Sequence, residues 1–351
     1  KTIIIMKKIM LSAAALMCGA VMFAQSNTST VDQIGNDNDS DVDQIGSLNN
    51  SDVDQFTYGF GTSDNNTSSV TQVGLLNDSF VWNDGDDHTS TVSQNGESNY
   101  SYVNMWGNNS TSSVTQDGLD NDSYVWQWNQ TNDHNSIVDQ LGDYNYSYMR
   151  QEGGDGNVSE VYQTGDSNQS DMEQFGNTNN SYVEQFGDTN DSDVFQDGDT
   201  NGSIVYQGFS GLSSFLSVST VDQIGSFNNS EVYQYGTSNE SDVDQAGDSN
   251  YSKVFQHGDM NDSFVNQDGN GNSSTVWQGN YPDSSDTSLS NVDQIGDDNN
   301  SLVIQNGIEH ISAVMQDGNL NMSDVMQSGN NHMSTVNQIG NSNGSSVTQS
   351  N

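Results

Sequence analysis

The sequence predicts an all-β protein folded as a β-solenoid, with two short strands in each coil. Three observations support this: an eleven-residue unit recurs along the chain, polar and apolar residues alternate within it, and a glycine and an asparagine occupy fixed places in most copies. The unit reads S-x-V-x-Q-x-G-x-x-N-x and is first seen at residues 29–39 and 40–50. About 28 copies run from Ser29 to the C-terminus, and a fixed period of this kind is typical of repeat architectures.

The first five residues of each unit predict a strand. Ser, Val and Gln stand two residues apart, so their side chains project from one face. We expect this face, with the turn asparagine, to line the interior in columns shared by successive coils. These columns include Ser40, Val42, Gln44, Asn49, Gln72, Asn77, Gln140, Asn145, Gln174, Asn179, Gln185, Asn190, Gln223, Asn228, Gln245, Asn250, Gln294, Asn299, Gln338 and Asn343.

The G-x-x-N stretch predicts a turn, because glycine tolerates positive φ and asparagine can bond to the local backbone. A helix is disfavoured: eleven residues match three helical turns, but a glycine and an asparagine in every unit would oppose it throughout. The turn glycines include Gly35, Gly46, Gly74, Gly142, Gly176, Gly187, Gly225, Gly247, Gly296 and Gly340.

Two units are expected to form one coil of about 22 residues, which gives about 14 coils and a cross-β rod roughly 65 Å long. The outward positions support this pairing, because small and aromatic residues alternate from unit to unit. The alternation is seen at Ser69, Phe80, Thr91, Tyr102, Ser113 and Tyr124, and again at Tyr206, Asp222, Tyr233, Asp244, Phe255, Asn266, Trp277 and Asp293. The two sheets should therefore carry different exteriors.

Departures from the repeat predict local irregularities. Extra residues follow the glutamine near 57–67, 129–135, 209–218 and 280–289, and the only proline, Pro282, lies in the last of these. Elsewhere glutamine side chains such as Gln33, Gln55 and Gln72 are expected to form one amide column. Asn83 keeps an amide at the glutamine position, whereas Met105 should interrupt the column and weaken the structure locally.

The charge excludes nucleic acid as a partner. The chain has 5 Lys and Arg against 48 Asp and Glu, a formal net charge of −43, and phosphate binding needs clustered basic residues. Beyond the N-terminal segment only Arg150 and Lys253 are basic. Such a surface repels anionic lipid headgroups and attracts cations. We expect non-specific binding of divalent cations and assembly accelerated by salt or acid.

The N-terminal residues predict an export signal. Met6 and two lysines precede an apolar run that ends near Phe23, and cleavage is expected between Ala24 and Gln25. This predicts a signal peptide at 1–24, with residues 1–5 upstream of a start at Met6. A short mature N-terminus at 25–28 and the repeat region at 29–351 follow, with no integral membrane segment in the mature chain. Cys18, the only cysteine, falls inside the signal peptide.

No catalytic, cofactor or metal site is predicted, and the chain is not expected to be an enzyme. The histidines are scattered over different repeats, without the paired spacing of a metal site, and are interpreted as solvated turn residues. No repeat organises a serine, a histidine and an aspartate as a triad. The outward aromatics Trp82, Trp126, Tyr206, Tyr233 and Trp277 predict lateral packing or, alternatively, an adhesive or sugar-binding stripe.

The joined motifs S-x-V-x-Q and Q-x-G-x-x-N resemble the curlin repeat of bacterial curli subunits over nearly the whole mature chain. This resemblance implies a secreted subunit of an extracellular amyloid fibre at the bacterial surface, which serves in biofilm matrix, adhesion and aggregation. It also implies export through a curli-type outer-membrane pore with accessory factors, and nucleation by a minor subunit. Relative to that family, this chain has more repeats and is more acidic.

The terminal strands of the repeat region are expected to be open edges. An unpaired strand edge is a template for another copy of the chain, so self-association from head to tail is the expected mode of assembly. The alternative is a soluble monomeric β-solenoid that acts as an adhesin or as an ice- or calcium-binding surface protein.

Overall fold

The computed structural model describes residues 26–57, 62–209, 213–279 and 285–351, without the side chains of residues 129–131. Over these residues the chain winds into a parallel β-solenoid, so the predicted fold class is confirmed. The predicted signal peptide and Pro282 lie outside the described residues. The described residues contain no helix that is long and apolar enough to span a bilayer.

Alternate strands form a 14-stranded sheet, here called sheet I. In spatial order its strands are β1 (Thr28–Gln33), β3 (Asn50–Gln55), β5 (Asp78–Asp86), β7 (Tyr100–Asn108), β9 (Asp122–Asn132), β11 (Tyr146–Glu152), β13 (Gln169–Phe175), β15 (Asp191–Asp197), β18 (Val218–Ile224), β20 (Glu240–Ala246), β22 (Asp262–Asp268), β24 (Leu289–Ile295), β26 (Ile311–Asp317) and β28 (Met333–Ile339).

The remaining strands form sheet II, on the opposite side of the solenoid. They are β2 (Asp39–Ser47), β4 (Thr67–Leu75), β6 (Thr89–Glu97), β8 (Thr111–Leu119), β10 (Asn135–Leu141), β12 (Val158–Thr164), β14 (Asn180–Asp188), β16 (Gly202–Gln207), β19 (Asn229–Thr237), β21 (Tyr251–His257), β23 (Ser273–Gln278), β25 (Asn300–Ile308), β27 (Met322–Asn330) and β29 (Gly344–Ser350). The two-residue β17 (Ser214–Phe215) bridges β14 and β19 at their ends.

One coil is a strand of sheet I followed by a strand of sheet II, so β1–β2 is the first coil and β28–β29 the last. The register places like on like: in β12 and β14, Ser159 faces Ser181, Val161 faces Val183, and Gln163 faces Gln185. The expectation that Gln33, Gln55 and Gln72 share one column is wrong. Gln33 pairs with Gln55 in sheet I, but Gln72 pairs with Gln44 in sheet II, because successive units go to opposite sheets.

The apolar core is a narrow stack of valines between the two sheets. Val53, Val183 and Val254 are fully buried, and Met149 and Met172 occupy the valine position with no exposed surface. Serine and glutamine flank this stack on the inward face of each strand. A polar interior of this kind demands hydrogen-bond partners for its amides, because an unpaired buried amide is costly.

The turn glycines are required by both conformation and space. Gly165 has a φ of +117°, and a Cβ on it would lie 2.0 Å from the carbonyl oxygen of Gly187 in the next coil. Two residues after the glycine, the chain adopts the left-handed conformation with ordinary residues, such as Leu48 at φ 59° and Tyr144 at φ 60°. A non-glycine residue in this conformation is strained by about 1–2 kcal/mol, a feature that the repeat motif did not reveal.

Candidate assembly interface

Glutamine side chains form a continuous hydrogen-bonded column along sheet II. Each Nε2 donates to the Oε1 of the glutamine in the next coil, as in Gln163 to Gln185 at 2.8 Å and Gln185 to Gln207 at 2.8 Å. The same Nε2 also donates to the backbone across the core, for example from Gln163 to the Tyr146 carbonyl at 2.8 Å. The column runs from Gln44 to Gln349 through bonds of 2.7–3.0 Å.

Asparagine side chains form a second kind of column at both turns of the coil. The Oδ1 of Asn77 accepts the backbone N–H of Asn99 at 3.1 Å, and the Nδ2 of Asn99 donates to the Gly118 carbonyl at 3.0 Å. Each asparagine therefore bonds to the coil before it and to the coil after it. The turns are held by contacts between coils as well as by the local bonds expected from the sequence.

The structure places the predicted column residues as follows. Asn49, Gln72, Asn77, Gln140, Asn145, Gln174, Asn179, Gln185, Asn190, Gln223, Asn228, Gln245, Asn250, Gln294, Asn299 and Gln338 are buried. Ser40, Val42 and Gln44 in the first coil, and Asn343 in the last, are half-buried. The predicted turn glycines, from Gly35 to Gly340, all have positive φ.

Four histidines, His332 among them, replace asparagine in the turn columns. Three of the four are buried, so the interpretation of those three as solvated residues is wrong. His88, His134 and His310 are at most 1% exposed. The Nδ1 of His88 accepts the backbone N–H of Ser110 at 3.3 Å, as an asparagine Oδ1 does elsewhere. Burial lowers the pKa of His88 and His310, and lowers the pKa of His134 to about 4. Counting back two residues from the next repeat serine would have placed each histidine in the asparagine slot.

The glutamine column of sheet I is interrupted at two successive coils. Met105 is fully buried at the glutamine position, in line with the sequence-based expectation. Asn83 is also too short to continue the column: its Nδ2 bonds to the Ser68 hydroxyl at 3.1 Å instead. At the two edges of this interruption, the Asn83 Oδ1 and the Gln127 Oε1 are buried with no hydrogen-bond partner among the described residues.

The two terminal coils present complementary halves of these columns. The Gln349 Nε2 bonds to the Met333 carbonyl, and its second hydrogen points to no described residue. At the opposite end, the Oε1 atoms of Gln33 and Gln44 receive no donor from a described residue. The asparagine columns have the opposite polarity, because an asparagine Oδ1 accepts a backbone N–H from the following coil, as Asn321 does from Asn343. Donors at one terminal coil therefore match acceptors at the other, in both kinds of column.

The terminal coils also differ in charge and exposure. The first coil carries Asp32, Asp37, Asp39, Asp41 and Asp43, whereas no charged side chain follows Asp324. Val31, at a core position of β1, is 43% exposed. An apolar side chain exposed beside an unpaired strand edge is typical of an interface that another strand can cover.

Comparison with known families supports this geometry. The family model for the curlin associated repeat matches residues 85–118, 154–187, 165–198 and 220–247. The chain contains curlin repeats. The resemblance expected from the sequence is thereby confirmed, and the curlin repeat is a structural family rather than an enzymatic one. No curated protein matches the chain.

The surface of this curlin-repeat protein stacks carboxylates as well as amides. On sheet I, Asp171 faces Asp193, which lies beside Asp222 in the following coil. Partial burial, followed by repulsion from Asp193, raises the pKa of Asp171 to about 6. Partial burial, followed by repulsion from Asp244, likewise raises the pKa of Asp242 to about 6. Over the described residues, no three His, Cys, Asp or Glu side chains are grouped to hold a metal ion.

Proposed function

We propose that this curlin-repeat protein is a secreted structural subunit of an extracellular, curli-like amyloid fibre at the bacterial surface. The observation that carries the proposal is the complementarity of the two terminal coils. One coil exposes amide donors in its glutamine columns, and the other exposes the acceptors. Addition of a second copy would extend both sheets without a change of fold.

The internal register defines how two copies meet. The β1 strand of an incoming copy would pair with β28, and its β2 strand would pair with β29. The Gln349 Nε2 would then donate to the Gln44 Oε1, as Gln327 donates to Gln349 at 2.9 Å within the chain. The Asn343 Oδ1 would accept the Asn38 backbone N–H, as Asn321 accepts that of Asn343 at 3.0 Å.

Charge favours this head-to-tail arrangement over a symmetric one. Head-to-tail contact places the acidic first coil on a last coil that has no charged side chain. Contact between two first coils would stack Asp32, Asp41 and Asp43 on their own copies, and like charges directly opposite each other on paired strands are destabilising. The polymer should therefore be polar and grow by repeated addition of one face to the other.

The wider role follows from the family and the predicted export signal. A subunit released through a curli-type outer-membrane pore, with a minor subunit as nucleator, would assemble outside the cell. Its fibres would serve in biofilm matrix, surface adhesion and aggregation. The rival function is that of a monomeric solenoid adhesin, which would stay dispersed.

The test blocks one terminal face and leaves the rest of the chain intact. Val347 lies on the inward face of β29, and its neighbour Thr348 is exposed. Val347→Asp should strongly slow sedimentation and thioflavin binding, because a carboxylate would be buried in the junction. Thr348→Asp carries the same charge on the outer surface and should assemble nearly as the parent does. Equal assembly of both variants, or a parent that stays monomeric, would contradict the proposal.

A further inference from the structure

The outer face of sheet I carries an aromatic cleft over the interrupted coils. Three outward positions on each of β5, β7 and β9 form a grid, and the small side chain of Asn104 occupies its centre between Trp82 and Trp126. Four of the five tryptophans in the chain lie here. The cleft encloses about 360 Å³ and is lined by Trp82, Asp84, Tyr102, Asn104, Trp106, Trp126 and Trp128.

Aromatic rings form the walls, and polar groups lie at the base. The Tyr102 and Trp126 ring centroids are 4.9 Å apart, and Trp128 meets both Trp126 and Trp106 edge to face at 5.8 and 5.7 Å. Asp84 and Asn104 are each only 8% exposed, and the Asn104 Nδ2 donates to the Tyr102 hydroxyl at 3.2 Å. Apolar walls with a few placed polar groups are typical of small-molecule sites.

The backbone beneath the cleft departs from the repeat. Between β7 and β9 the register shifts after Met105, so that Gly107 faces Thr131 and the stretch that contains Trp128 forms a bulge. The bulge coincides with the break in the glutamine column at Asn83 and Met105. These coils lack the amide hydrogen bond between glutamines that the other coils make. Bulges are over-represented beside functional sites.

We propose that this cleft binds an uncharged pyranose residue of a polysaccharide or glycan. The apolar C–H face of a sugar ring can stack on the tryptophan faces, and its hydroxyls can donate to Asp84 and exchange hydrogen bonds with the Asn104 amide. The net charge of −43 disfavours a polyanion. A cationic ligand would meet Arg150, which lies opposite Trp126 on the adjacent strand.

The chain provides an internal comparison in the aromatic stripe of sheet II. There Tyr206 stacks on Tyr233 at 5.3 Å and 12°, and Phe255 stacks on Trp277 at 4.8 Å and 27°. These four aromatic residues occupy successive coils, so no small side chain such as Asn104 opens a gap for a sugar ring between them. Trp277 is therefore a matched control for the cleft tryptophans. The site lies on the side of a single solenoid, so its occupancy does not depend on the proposed fibre assembly.

The experiment titrates the full mature chain with cellohexaose as the neutral probe and follows tryptophan fluorescence. Polygalacturonate and choline serve as anionic and cationic probes. We expect saturable binding of cellohexaose and no saturable binding of polygalacturonate or choline. Trp126→Ala together with Trp128→Ala should weaken binding at least about tenfold, Asn104→Ala should weaken it as well, and Trp277→Ala should leave it unchanged. Circular dichroism of each variant would establish that the solenoid is retained.

Three results would overturn the inference. One is the absence of saturable cellohexaose binding by the folded parent chain. Another is preferential binding of choline, which would assign the cleft to cations instead. The third is an equal loss in the Trp277→Ala variant, which would show non-specific stacking on exposed aromatics rather than a defined site.

Discussion

The imidazole Nδ1 of His134 accepts the backbone N–H of Asn157 at 3.1 Å, in a column that asparagine fills in most other coils. Only the neutral ring can accept this bond, because both nitrogens of an imidazolium carry hydrogens. His134 is 1% exposed, and burial lowers its pKa to about 4. The residue therefore links the stability of the solenoid to pH.

We predict that His134→Asn removes an acid-sensitive contribution to stability. Between the unfolded pKa of about 6.5 and the folded pKa, the unfolded chain binds more protons, so stability falls as pH drops through this window. A shift of this size corresponds to about 3 kcal/mol lost by pH 4. Urea unfolding at pH 7 and at pH 4 measures it. The free energy of unfolding should fall more between pH 7 and pH 4 in the parent than in the variant. An equal fall in both would contradict the role given to neutral His134.

Asp171 should show the opposite dependence. Its pKa is raised to about 6, so between pH 6 and 4 the folded chain binds more protons and stability increases as pH falls. Asp171→Asn should stabilise the solenoid at pH 7 by about 1 kcal/mol, a figure reduced for solvent screening. The difference should vanish near pH 4. Asp199→Asn is the control: hydrogen bonds from Asn177 lower the pKa of Asp199, so its replacement should not stabilise.

The interrupted glutamine column of sheet I should be repairable. The double variant Asn83→Gln, Met105→Gln would supply a donor to the unpartnered Gln127 Oε1 and should stabilise the chain by about 1–3 kcal/mol. In the parent chain, amides at 104–107 should exchange faster than those of neighbouring coils. Met149→Gln is the matched control, because it places an amide in the valine core and should destabilise. Loss of stability in the double variant would show that the break is not a weak point.

Turn glycines should differ sharply in their tolerance of a methyl group. Gly165→Ala would bring a Cβ within 2.0 Å of the Gly187 carbonyl at a φ of +117°. It should destabilise by at least about 2 kcal/mol through strain alone. Gly344 has no atom within 4 Å of its Cβ position, and Gly344→Ala should change stability by less than about 0.5 kcal/mol. Thermal unfolding of both variants gives the comparison, and similar melting temperatures would contradict it.

Much of the fold could be predicted because one period governs the whole chain. The spacing of Val42 and Gln44 gave the strand, and alternation between Ser69 and Phe80 gave the two-sheet coil. The buried histidines were missed because residue type, rather than position in the repeat, guided their interpretation. The sequence indicated outward positions for Trp82 and Trp126 and an irregularity near 129–135. The cleft itself depends on a bulge between β7 and β9 that only the three-dimensional register reveals.

We propose that the open columns at the two terminal coils join copies of the chain end to end. Electron cryo-microscopy of filaments formed by residues 25–351 tests it most directly. We expect unbroken 4.7–4.8 Å strand spacing across each junction and one subunit in about every 65 Å along the axis. A chain that stays as single particles at high concentration, or filaments in which subunits associate by their sides, would contradict it.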